Sequence, residues 1–137
     1  MEEMVLFTPQ EANEALDLVR PRVERLVKRR RELVHLGRRL DSVRAKVAGN
    51  GGSLDPKRVS ELQGEAARAA AEVADLVEAI TSHGVQVKDL DRGLVDFPAR
   101  HPETGETVLL CWELGEDSVA YWHGLEDGFA GRKPLPF

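Results

Sequence analysis

The chain has 137 residues, 42% hydrophobic and 31% charged, with a formal net charge of −5. That balance excludes outright disorder, and the length suits a single domain over residues 1–137 with a core of its own. No apolar run approaches the roughly 20 residues of a membrane span, and the acidic opening MEEMVLFTPQ does not read as a signal peptide. The charge is unevenly placed: residues 20–46 carry eleven Lys and Arg against three Asp and Glu, so the remainder is strongly acidic.

Thr8-Pro9-Gln10-Glu11 is a helix start, with Thr8 and Glu11 at capping-box spacing and Pro9 in the first turn. The first helix is expected to reach about Ala48. Its apolar stripe is Leu16, Val19, Val23, Leu26, Leu33, Leu36, Leu40, Val43 and Val47, with Arg30 in one stripe position. Pro21 is expected to kink or split it, because proline removes a donor and crowds the preceding turn. A glycine-rich loop over 49–55 follows, and Asp55-Pro56 restarts a helix. Val59, Leu62, Ala66, Ala69, Val73, Leu76 and Ile80 then form a heptad seam that ends at His83-Gly84. Residues 8–84 therefore predict a long antiparallel, coiled-coil-like helical hairpin. Ala67, Ala70, Ala71 and Ala74 widen its apolar face and predict a homodimer.

After Gly84 the period changes from helical to alternating, so residues 85–137 predict a small, mostly antiparallel sheet with an irregular tail. Strands are expected over Val85–Lys88, Gly93–Phe97 with Pro98 ending it, Thr107–Glu113 and Ser118–His123. Centring the last hairpin on Gly115-Glu116 pairs Val108 with His123, Leu110 with Tyr121, Leu109 with Trp122 and Trp112 with Val119. That register puts His123 on a mostly apolar face beside Trp112, Tyr121 and Leu110. The fold class is α+β.

VKDLDRGLVDFPA, CWELGEDSVAYWH and GFAGR, with the opening FTPQEANEAL and the proline at 21, resemble a bacterial family catalogued as domain of unknown function 2203. The resemblance covers nearly the whole chain and implies the same hairpin-plus-sheet layout. It implies no activity and no catalytic residues.

The costly side chains concentrate in the last third, which makes its surface the candidate ligand site: Asp89, Asp91, Asp96, Trp122, His123 and Arg132. Asp96 stands within the apolar run Leu94-Val95-Asp96-Phe97, and a buried carboxylate needs a partner, for which Lys88 and Arg132 are the candidates. Asp89, Glu113, Glu116 and His123 are the weaker candidates for a divalent metal, since hard cations want oxygens and transition metals an imidazole. No HExxH, paired CxxC or EF-hand spacing supports a metal, so no cofactor is expected outright. Cys111, lacking a nucleophile signature, reads as a small apolar core residue. Trp112, Tyr121, Trp122 and Phe129 read as sheet core before they read as a ligand platform. Lys28-Arg29-Arg30-Arg31 could track phosphates, but no aromatic interleaves it and helix 2 offers acids to pair with it.

The leading expectation is a non-enzymatic cytoplasmic interaction or ligand-binding module that dimerises through its hairpin. The alternative is a small metal-dependent, hydrolase-like enzyme using Asp89, Asp91, Glu113 or Glu116 with His123. Nucleic-acid binding along helix 1 stands third, with nucleic acid not an expected partner.

Overall fold

The computed structural model describes residues 4–50 and 55–137; residues 51–54, the middle of the expected interhelix loop, and the side chains of 47–50, with Val47 of the expected stripe, lie outside the described residues. Two long antiparallel helices pack together: α1 spans Pro9–Asn50 and α2 spans Pro56–Thr81. The capping box at the head of α1 forms as its spacing predicts. The Thr8 amide donates to the Glu11 carboxylate at 3.0 Å and the Glu11 amide to the Thr8 hydroxyl at 3.0 Å. Asp55 caps α2 by accepting from the Lys57 amide at 3.1 Å. Pro21 lies inside α1 without dividing it.

The stripe of α1 is buried in two clusters. Leu36 and Leu40 meet Leu62 and Ala69 of α2 in one. The larger cluster joins Ala12, Leu16, Val19, Val23, Leu26 and Val27 to Val73 and Ile80 and to one face of the sheet. Arg30, out of place in the stripe, reaches Asp91 at 3.4 Å while Val27 fills the core beside it.

Five strands form an open antiparallel sheet in chain order: β1 Gln86–Asp89, β2 Leu94–Arg100, β3 Thr107–Glu113, β4 Tyr121–Gly124 and β5 Lys133–Pro134. Pro98 does not end β2. Its carbonyl accepts from the Phe7 amide at 2.7 Å on the side away from β3, so its missing N–H falls where no β3 bond is lost. The tail, expected to be irregular, supplies a 3-10 turn at Phe129–Gly131 and the short β5.

Facing residues of paired strands share a face. Val95, Phe97 and Ala99 of β2 pair with Trp112, Leu110 and Val108 of β3, and all six join the helix-side core. Leu94, Asp96 and Pro98 pair with Glu113, Cys111 and Leu109 on the opposite face.

The register of β3 with β4 differs by one residue from the sequence expectation. His123 pairs with Leu109, Trp122 with Leu110 and Tyr121 with Cys111. The cause is the connection over 114–120, whose end is taken up by α1 rather than by β3. Asn13 accepts from the Val119 amide at 2.8 Å and donates to the Val119 carbonyl at 3.1 Å. Arg20 donates to the carbonyls of Glu116 and Asp117. Because side chains alternate, the one-residue slip moves His123 to the other face of the sheet.

Candidate metal centre

That slip brings His123 onto the face that carries Asp96 and Cys111. Asp96 on β2 and Cys111 on β3 are directly opposed, and His123 stands on β4 beyond them. All three are buried: Cys111 is 0% exposed, Asp96 2% and His123 3%. A carboxylate oxygen, the thiol sulfur and an imidazole nitrogen all lie within 4.8 Å of one another.

The contacts inside the cluster define its proton inventory. His123 Nδ1 lies 2.8 Å from the Gly124 carbonyl, which can only accept, so Nδ1 carries a proton. His123 Nε2 lies 3.2 Å from Asp96 Oδ1. With Nδ1 protonated, one further proton must sit between Nε2 and the carboxylate, or two lone pairs would face each other. Burial pushes the Asp96 carboxyl above the usual carboxylate range, although His123, the Cys111 thiol and Lys88 draw it back. Burial, then the nearby Asp96 charge, push the Cys111 thiol up to about 12. A thiol so high is no free nucleophile at neutral pH; a bound cation is what would make it a thiolate.

One nitrogen, one sulfur and one oxygen form a donor set for zinc-class ions. Bonds of about 2.0–2.3 Å at tetrahedral angles separate ligand atoms by roughly 3.3–3.6 Å. The Asp96–His123 separation of 3.2 Å is already close to that span, and the sulfur would close in by about 1.5 Å at most. The Nδ1–Gly124 hydrogen bond is the outer contact that metal-binding histidines commonly make; it fixes the ring and leaves Nε2 to ligate.

A cavity of about 160 Å³ opens on Asp96 and His123, walled by Leu94, Leu109, Leu125, Gly128 and Phe129, with Lys88 at its edge. Phe129 meets two guanidinium groups, that of Arg92 4.3 Å and that of Arg132 4.5 Å from its ring centre. The loop after β4 thus covers the sheet face that the helices leave free.

A family model, described as uncharacterized conserved protein DUF2203, matches residues 5–135. The chain belongs to that family. No curated protein and no solved structure matches it. The match agrees with the resemblance read from the sequence motifs.

Of the residues expected to form the site, the structure unites Asp96 and His123 and separates the rest. Asp89 accepts from the amides of Asp91 and Arg92 at 2.9 and 3.0 Å, which holds its carboxyl below the usual range and makes it a turn residue. Asp91 is exposed near Arg30. Glu113 is engaged by Arg92, and Glu116 by Arg132 at 2.7 Å. Arg132 lies 3.8 Å over the Tyr121 ring and is not the partner of Asp96. Trp122 faces the helix side, in contact with His101 and Phe137, and Trp112 is fully buried core. Lys88 adds a charge near Asp96, but the close partner is His123.

The expectation of a purely non-enzymatic interaction module is overturned by this cluster. Packing alone gives little reason to bury a carboxyl and an imidazole together beside a thiol, since the first two cost desolvation that apolar residues of the same shape would avoid. Cys111 is the residue the sequence reading passed over. Its signal was the alternation of β3, which places it beside Asp96 once β2 and β3 are paired.

No helix among the described residues is long and apolar enough to cross a membrane. Along α1 the basic run is partly neutralised: Arg25 and Arg29 pair with Glu72 of α2, and Arg30 with Asp91.

Proposed function

We propose that Asp96, Cys111 and His123 bind one zinc-class divalent ion and that the chain is a small metal-dependent enzyme of hydrolytic type. The observation that carries this reading is the convergence of three buried ligand atoms of three different kinds beside a cavity. Three protein ligands leave a fourth position, the arrangement of catalytic rather than structural zinc sites. The ion would lower the pKa of a bound water to about 7. Hydrolysis then adds the water's hydroxyl to the electrophilic centre and its remaining proton to the leaving group. The chain's own part is to hold the ligands through paired strands, to fix His123 through Gly124, and to line the cavity with Leu94, Leu109, Leu125 and Phe129.

The test is cobalt(II) titration of the metal-free protein. A thiolate-to-cobalt absorption band and the intense visible bands of a tetrahedral site are expected at one equivalent. Cys111→Ser should remove the first, and His123→Ala should abolish both. A cobalt complex whose spectrum is indifferent to Cys111 would refute the assignment.

A reducing compartment such as the cytoplasm is the proposed setting, because Cys111 must stay reduced to ligate. The homodimer is carried as a separate proposal on the exposure of Ala67, Ala70, Ala71 and Ala74 along α2; a monomer in light scattering at all practical concentrations removes it.

A further inference from the structure

We infer that the cavity at this centre receives a small organic monoanion, a short-chain carboxylate, whose charge is met by Lys88. The inference rests on the metal reading above and extends it from the ion to the ligand.

Lys88 is placed by an irregularity in the fold. Val87 pairs with Val95 and Asp89 with Leu94, so the ladder shifts register and leaves Lys88 as an extra residue between them. Such a bulge frees a side chain from cross-strand pairing and re-aims it, and bulges recur beside active sites. Here the bulged residue lines the cavity that Asp96 and His123 close, near enough for its charge to act on Asp96. Among the described residues no carboxylate lies within salt-bridge distance of Lys88, whereas Arg92 and Arg132 are committed to Glu113 and Glu116. Lys88 is thus the one cation among the residues that line the cavity, and it has no ion-pair partner among the described residues.

Charge, size and polarity then select the ligand. A dication with an Asp carboxylate and a Cys thiolate is neutral, so the cavity carries the single positive charge of Lys88. A volume of about 160 Å³ suits a small molecule. Leu94, Leu109, Leu125 and Phe129 suit a short carbon chain. The lining holds one ammonium, which matches the charge of a carboxylate monoanion and leaves a phosphate dianion half neutralised.

The experiment uses the cobalt-loaded full-length chain with propionate as the probe, propionamide as its neutral counterpart, and inorganic phosphate. Propionate is expected to shift the visible cobalt bands saturably, with propionamide silent and phosphate weaker. Lys88→Met and Lys88→Gln, at an exposed position, should retain the cobalt spectrum and the Tm but weaken propionate roughly tenfold or more, as the loss of a charged hydrogen bond would. Equal responses to propionate and propionamide, an unchanged propionate affinity in both Lys88 variants, or tighter phosphate binding would overturn the inference while leaving the metal centre standing. Failure of cobalt to bind at all would sink both.

Discussion

Loading the centre should expel the proton of the Cys111 thiol. With its thiol pushed up to about 12, Cys111 enters protonated and must leave as a thiolate. Each proton released adds one to the slope of log affinity against pH. Zinc affinity should therefore rise at least tenfold per pH unit near neutrality, about 1.36 kcal/mol for that proton. The assay is competition with a chromophoric chelator from about pH 6 to 8, corrected for the chelator's own protonation. Cys111→Ala should lower the slope by about one as well as weaken binding, because no thiol proton is left to release. A wild-type slope near zero, or one that Cys111→Ala leaves intact, would refute this reasoning.

Three other outcomes follow from the same contacts. Because the folded pKa of Cys111 lies above its unfolded value of about 8.5, its stabilisation is complete below that pH and lost as pH rises toward 12. Urea unfolding of the metal-free protein should show stability falling more steeply between about pH 9 and 11 than in Cys111→Ala; parallel curves would contradict the burial argument. Asn13→Ala removes both bonds that hold Val119 to α1 and should cost about 2 kcal/mol, read as a Tm lower by several degrees; no measurable shift would mean the connection needs no such anchor. Nucleic acid should bind no tighter than the nonspecific range of roughly 10⁻⁶ M at physiological salt; tight, salt-steep binding lost on neutralising Arg29, Arg30 and Arg31 would show the basic face to be functional.

The sequence made the helices legible because their signals are local. Thr8 and Glu11, Asp55 and Pro56, and the heptad seam each act within one or two turns. The sheet's strands were legible from alternation, but their register was not. It depends on Asn13 and Arg20 reaching about a hundred positions along the chain to hold the backbone of Glu116, Asp117 and Val119 against α1. No local pattern announces such a capture, and a one-residue error inverts a strand. That inversion put His123 with Trp112 instead of Cys111, so the acid within an apolar strand was noticed while its partner was sought among cations. The other acids misled because exposed carboxylates look alike in sequence whether they cap a turn, as Asp89 does, or pair with arginine, as Glu113 and Glu116 do.

The most direct test of the central claim is the metal content of protein purified without a metal-affinity tag and then incubated with zinc and desalted. About one zinc-class ion per chain is expected, held through desalting, and almost none in His123→Ala and Cys111→Ala. Wild-type protein that retains no ion, or variants that retain as much as wild type, would contradict it.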